Sequence, residues 1–202
     1  MKIQKYENIS SSEFATSLEA SRTLLTKIKP WIIKEYFEGN KKDYRESGTE
    51  FIILNQLTQL NHVLPGGVRN QKVLDLGCGS TEYPKSPLLI TRMYEPWLCR
   101  ILKKLKANPI GIDIRTNSIW EGFESYMVNL CNLNSLSFLQ DNSIDVANAK
   151  SLFDSTFANE NLKENLIPQL ERIVKPEGYF LYFPKEEDPT DYAKRVFTNR
   201  HA

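Results

Sequence analysis

The stretch 71-QKVLDLGCGSTEYPKSP-87 holds an apolar run, Val73 to Leu76, broken by one acid, Asp75, and running straight into two glycines around Cys78. The run has the length of a buried strand, and the glycines permit the tight turn by which a strand hands over to a helix. Outward from this point the same texture repeats. Candidate strands at 109-PIGIDI-114, 125-SYMVNL-130, 143-SIDVANA-149 and 178-GYFLYF-183 follow 72-KVLDLG-77, with candidate helices at 88-LLITRMYEPWLCRILKKLKA-107 and 161-NLKENLIPQLERIV-174. Alternation of this kind implies parallel pairing through right-handed crossovers. The expected fold is therefore α/β, an open, mostly parallel doubly wound sheet whose ligand lies outside the carboxyl ends of its strands.

Upstream, the first third of the chain reads as helical. Ser10 to Ser12 followed by Glu13 is a helix start, and Phe14, Leu18, Leu25, Ile28, Ile32 and Ile33 recur at helical spacing, with a kink or break expected at Pro30. A second helix is expected over 49-TEFIILNQLTQLNHVL-64, with Phe51, Leu54, Leu57, Leu60 and Leu64 as its stripe and Pro65-Gly66-Gly67 as its stop. Residues 1–70 are thus a helical extension or lid, and residues 71–202 the α/β core of a single domain. With 202 residues there is enough chain for one full core.

Lys and Arg number 26 against 25 Asp and Glu, a net charge of +1, so no global field draws the chain to nucleic acid or an anionic membrane. The runs 102-LKKLK-106 and Lys41-Lys42 read as solvated faces, and without a basic stripe a nucleic-acid partner is disfavoured. Three cysteines, Cys78, Cys99 and Cys131, and two histidines lack metal-ligand spacing, so no metal is expected and the thiols read as reduced and cytosolic. No segment approaches the ~20 apolar residues of a membrane span.

A glycine turn after a strand is a weak signal alone. The dinucleotide fingerprint wants a third glycine where this chain has Glu82, and with Asp75 that places two acids around a site meant for an anion. A cationic ligand removes the objection. At this point VLDLGCGS resembles motif I of the class I, Rossmann-like S-adenosylmethionine-dependent methyltransferases, whose cofactor carries a sulfonium and an ammonium and no phosphate. The likeness extends to 111-GIDIR-115, where Asp113 matches the family's ribose-binding acid, with Ile114 beside it. It continues in 128-VNLCN-132, where Asn129 stands in the place of an acid near the adenine and Leu130 offers an apolar contact. It takes in Asp145 before the fourth strand and the K-P-x-G turn at Pro176 and Gly178. The resemblance spans about Lys72 to Phe183. It implies a cofactor site of Asp75, Gly77, Cys78, Gly79, Asp113, Ile114, Asn129 and Leu130, S-adenosylmethionine as cofactor, and a small-molecule methyl acceptor.

Two departures from the family stand out. The interval from Gly79 to Asp113 exceeds the usual ~20 residues, the excess lying in 80-STEYPKSPLLITRMYEPW-97. The chain after Phe183 is also shorter than the roughly 40 residues of a helix and antiparallel strand pair. A shortened sheet of five strands is expected, with one terminal helix from 189-PTDYAKRVFTNR-200 and an open edge that a second subunit could cover in a homodimer. Methyl transfer needs positioning and water exclusion more than a nucleophile. If the acceptor must lose a proton, the base candidates are His62, Tyr44 and Asp154, each with a plainer reading as a helix-end, lid or loop residue. Trp31 and Phe37 read as helix-helix core. Two further readings stay open: a non-catalytic binder with this fold, and a nucleotide-dependent oxidoreductase.

Overall fold

The computed structural model describes residues 6–7, 11–82, 89–149, 152, 161–182 and 196–198. Strand β1 (Tyr6–Glu7) precedes helices α1 (Ser11–Tyr36), α2 (Lys41–Glu46) and α3 (Thr49–Val63). Strands β2 (Lys72–Leu76), β3 (Asn108–Asp113), β4 (Glu124–Met127), β5 (Ile144–Ala149), β6 (Val174–Tyr182) and β7 (Val196–Thr198) follow, with helix α4 (Trp97–Lys104) between β2 and β3 and α5 (Asn161–Ile173) between β5 and β6. The sheet order is β1-β7-β6-β5-β2-β3-β4. Its five central strands are parallel, with β2 in the middle between β3 and β5.

This is the Rossmann-like, doubly wound arrangement expected from the strand and helix alternation, and the period of two in each strand explains its layers. Leu74, Leu76, Ile110, Ile112, Ala147 and Ala149 face one side, where α5 buries Leu162, Leu166, Leu170 and Ile173 against them. Val73, Val146 and Leu181 face the other, under Leu60 and Val63 of α3 and Leu98 and Leu102 of α4. The helical extension therefore shares its core with the sheet. Its outer layer packs Ile28, Ile32 and Phe37 on Ile53, Leu57 and Trp97.

Four expectations are corrected. Pro30 does not break α1, because Ile28, Ile32 and Ile33 anchor the helix on both sides of it while Pro30 itself sits on the exposed face. The stretch around Lys41-Lys42 before α3, where no helix is expected, contains α2, capped by Asn40, whose Oδ1 accepts from the Lys42 and Asp43 N–H groups at 3.0 and 3.1 Å. The long crossover helix expected over 88–107 is a 3₁₀ segment, Leu89–Tyr94, then the short α4 after Pro96. Finally, the sheet does not stop at five strands. β7 pairs antiparallel with β6 within the stretch expected to be a terminal helix, and β1 pairs with β7. The edge that motivated a second subunit is thus taken by the chain's own strand.

At the amino ends of the strands, Asp145 ties the sheet together: its Oδ2 accepts from the Lys72 N–H at 2.7 Å, and its Oδ1 pairs with Lys175. The K-P-x-G segment lies opposite it as an irregularity in β6, where the register passes from Val174 to Tyr179 across a single residue of β5. On α3 the buried apolar positions are Ile52, Ile53, Leu57, Leu60 and Val63, whereas Phe51, expected on the stripe, is 55% exposed.

Candidate functional site

The turn that follows β2, Gly77 to Ser80, sits at the carboxyl end of the sheet, and its four backbone N–H groups are all committed inside the chain. Gly77 and Cys78 donate to the Ile112 carbonyl at 2.7 and 3.0 Å, and Ser80 donates to the Tyr94 carbonyl at 2.9 Å. Gly79 donates to Asp113 Oδ2 at 2.9 Å. A phosphate cradle needs several such donors aimed outward, and this turn aims them at its own strand, loop and wall. Gly79 has φ +90°, and a Cβ there would overlap the Tyr94 carbonyl oxygen, so no side chain fits.

That contact identifies what the segment after Ser80 does. The chain leaves the turn, and its 3₁₀ segment Leu89–Tyr94 comes back to lie directly on Gly79. An ionic and aromatic cluster fixes it there. The Arg100 guanidinium, buried on α4, pairs with Glu95 and with Glu121, donating from Nε to Glu121 Oε2 at 2.8 Å, and lies 4.3 Å from the Tyr36 ring centre and 4.6 Å from that of Trp97. Burial works against its charge, and the two carboxylates outweigh that, so its pKa is raised. Arg92 spans Glu95 at 2.8 Å and stacks 4.1 Å over Phe37. Trp97 donates from Nε1 to the Arg92 carbonyl at 2.6 Å. None of this cluster was foreseen from the sequence, where Arg100 looks like one more cation on an amphipathic helix.

A second set of bonds stitches the turn to the loop after β3. Asn117 donates from Nδ2 to the Gly79 carbonyl at 2.9 Å and accepts from the Thr81 N–H at 3.1 Å. Ser80 Oγ donates to the Thr116 carbonyl, and the Ser118 N–H donates to Thr81 Oγ1 at 3.1 Å. Asp113, buried at the end of β3, also accepts the Arg115 N–H at 3.2 Å on Oδ1. A carboxylate offers about four lone-pair sites; two are used here and two remain.

Asp75 lies beneath the turn. It is buried, accepts from Asn148 Nδ2 at 2.7 Å, and has the Cys99 thiol 3.9 Å away. Cys99 and Cys78 fit side by side because residue 111 is glycine: a Cβ there would meet Cys78 Sγ at 2.9 Å and Cys99 Sγ at 3.2 Å. Burial pushes the Cys99 thiol well up, reinforced by its hydrogen bond to Cys78 and by Asp75. For Cys78 the hydrogen bond from Cys99 pulls the pKa down, and burial with the charges of Asp75 and Asp113 outweighs it, leaving it raised. Asn148, a polar residue inside an apolar strand, was the missed signal for Asp75's partner.

A cavity of about 240 Å³ opens over this floor. Gly77, Cys78, Gly79 and Asp113 form its sheet side; Met93, Tyr94, Glu95 and Trp97 of the returning segment and α4 form a second wall. The third wall is α3, through Ile52 and Gln56. Ile114 and Asn129 are exposed at the same end of the sheet, and Asn129 Oδ1 accepts the Cys131 N–H at 3.0 Å. Leu130, expected as an apolar contact for the adenine, is buried in the core cluster beside α5 and does not line the cavity.

The base candidates do not gather here. Tyr44 is 1% exposed, packed edge-on against Phe37 at 5.4 Å between centres, with no hydrogen-bond partner for its hydroxyl and a pKa that burial and Glu50 push up. Expected in a lid, it is a core residue, because α2 turns it inward. His62 lines a different cavity, between α1 and α3, with Thr16, Ser17 and Asn61. Asp154 lies outside the described residues. Among the described residues no group of three or more His, Cys, Asp or Glu is placed to hold a metal, and no helix is long and apolar enough to cross a membrane.

The fold and site define a Rossmann-like α/β domain with a glycine-turn cavity at the head of its first parallel strand. No protein-family model matches the sequence, and no curated protein does. Solved structures similar to it include a TehB-like SAM-dependent methyltransferase from Corynebacterium glutamicum, at TM-score 0.42 and 15% identity, covering 61% of this chain and 60% of that one. A 1,6-didemethyltoxoflavin-N1-methyltransferase from Burkholderia thailandensis aligns at TM-score 0.44 and 13% identity over 98% of this chain and 76% of that one. Phosphoethanolamine N-methyltransferase 2 of Haemonchus contortus aligns at 0.45 and 16% over 75% of this chain and 34% of its own. The chain thus spans about 60% of the length of the Corynebacterium protein.

Proposed function

We propose that this chain binds S-adenosylmethionine across the carboxyl ends of β2 and β3 and transfers its methyl group to a small-molecule oxygen or nitrogen acceptor. The observation that carries the reading is the spent set of N–H donors at Gly77 to Ser80. A turn built this way offers nothing to a pyrophosphate, and the carboxylate of Asp113 at the cavity wall repels one. The same wall suits a ligand that is cationic and rich in hydroxyl donors. The two remaining lone-pair sites of Asp113 match two vicinal sugar hydroxyls, and Gly77 leaves room for a thioether or sulfonium arm beside the backbone.

The cavity is below the ~300 Å³ at the lower end of common ligand sites, so it takes the part of the ligand nearest the turn, and a purine extends over Ile114 and Asn129. When bound, S-adenosylmethionine supplies a methyl group activated by its sulfonium. The chain's part is to hold the acceptor in line and keep water out, through the apolar faces of Ile52, Met93 and Trp97. The similar methyltransferases named above are named for the same chemistry. A cytosolic setting accords with three free thiols.

One observation favours the non-catalytic alternative: neither Tyr44 nor His62 reaches the cavity. Methyl transfer to an acceptor with a free lone pair needs no base, so the enzyme reading stands. Thermal unfolding with S-adenosylhomocysteine and with NADH tests it. A rise in Tm with the first and none with the second is expected; the reverse pattern would establish the oxidoreductase reading. Incubation with methyl-labelled S-adenosylmethionine and pooled small-molecule amines and phenols then separates enzyme from binder.

A further inference from the structure

Gln56 differs from every other polar group at the cavity. It is 8% exposed, it lines the cavity from α3, and its Oε1 is buried with no hydrogen-bond partner. Leaving such a group unmet forfeits the hydration it has in the unfolded chain, and no hydrogen bond in the surrounding core replaces it. Around it are apolar neighbours, Ile52 one turn earlier and Met93 and Trp97 across the gap. Glu95, the charged residue of the facing wall, is already engaged by Arg92 and Arg100.

Position decides which part of a ligand reaches it. Asp113, with the sugar, lies at the end of β3, and the exposed sheet end beyond it runs toward β4. Helix α3 lies over the opposite half: its Leu60 and Val63 pack on Val73 of β2, Val146 of β5 and Leu181 of β6. A ligand whose nucleoside points to β3 and β4 therefore sends its other end past Gly77 toward α3. On S-adenosylmethionine that end is an α-amino acid. A primary carboxamide has one acceptor and two donor hydrogens, so it answers an ammonium with its oxygen and a carboxylate with its nitrogen, at no cost in net charge.

We infer that Gln56 is the residue by which the helical extension holds the amino-acid end of the cofactor, making α3 part of the binding site and not only a cover for the sheet. The inference rests on the S-adenosylmethionine reading above. It is tested with the full chain and the nearly isosteric Gln56→Met, by calorimetric titration with S-adenosylhomocysteine and with 5′-methylthioadenosine, which lacks the amino acid. The variant is expected to bind S-adenosylhomocysteine roughly 10- to 100-fold more weakly and methylthioadenosine as the unaltered chain does. Equal loss for both ligands, or loss for neither, overturns the role of Gln56 while leaving the cofactor reading intact. An unaltered chain that binds neither ligand overturns the cofactor reading itself. Should the variant fail to fold, the side-chain amide resonances of Gln56 in the unaltered protein decide: they shift with S-adenosylhomocysteine and stay in place with methylthioadenosine, and no shift with either contradicts the inference.

Discussion

The sheet side and the helical side of the cavity satisfy their polar groups in opposite ways. Below, every donor of the glycine turn has a partner in the chain, Asp75 is held by Asn148, and Asn117 closes the turn against the next loop. Above, Gln56 Oε1 on the α3 wall is buried without a hydrogen-bond partner, as is the Tyr44 hydroxyl in the helical core away from the cavity. The floor is finished by folding alone, and the wall is not. Rigid, internally satisfied groups set where a ligand sits, and an unmet one sets what it must bring. The two orphans also differ from each other: Gln56 has a cavity beside it, and Tyr44 has only core.

The contrast can be broken at its strongest point first. Arg100→Met removes the cation between Glu95 and Glu121 and leaves two carboxylates facing each other in a buried setting; a loss of about 3–5 kcal/mol is expected by urea unfolding. Gly79→Ala forces a Cβ into the Tyr94 carbonyl at a positive φ, and roughly 2–4 kcal/mol should be lost together with binding. A stable variant that still binds would show that the returning segment is free to move off the turn.

Alkaline pH sharpens the comparison at smaller scale. The Cys78 and Cys99 thiols are raised in the fold, so the folded chain keeps protons that the unfolded chain gives up. Their contribution is complete below the unfolded thiol value of about 8.5 and is lost above it, by up to about 1.4 kcal/mol per pH unit for each thiol. Tyr36 and Tyr44, raised mainly by burial, add to the fall above about pH 10. Denaturant midpoints across this range should decline, and Cys99→Ala should decline less steeply. The smallest effect separates the two orphans: Tyr44→Phe removes an unmet hydroxyl and should stabilise by about 1 kcal/mol without changing ligand binding. Loss of binding in that variant would return Tyr44 to the site.

What was legible in the sequence follows the same division. Periodicity placed the five parallel strands and helices α1, α3 and α5, because a period of two or 3.6 is written locally in apolar residues, whereas the crossover before β3 read as one long helix and is a 3₁₀ segment followed by the short α4. The turn was legible because glycines follow an apolar strand, and Asp113 only through the likeness to a known family; both line the cavity. The Arg100 cluster, Asn117, Asn148 and Gln56 were not, since each acquires its role from residues far away in the chain. A glutamine on an amphipathic helix has no local mark of burial. Helix α2 escaped because only Tyr44 of its residues is buried, although Asn40 ahead of it is a readable cap. β7 escaped because its partner strand, and not its own pattern, makes it a strand.

The proposed function requires the cavity over Gly77 to Gly79 to hold a nucleoside through Asp113 with no contribution from phosphate. Calorimetric titration of the chain and of Asp113→Ala with S-adenosylhomocysteine, alongside NADH, tests it most directly. Saturable binding of S-adenosylhomocysteine, weakened at least tenfold by the substitution, with no heat from NADH, is the predicted result. Binding of S-adenosylhomocysteine that Asp113→Ala leaves unchanged, or tighter binding of NADH, would contradict the account.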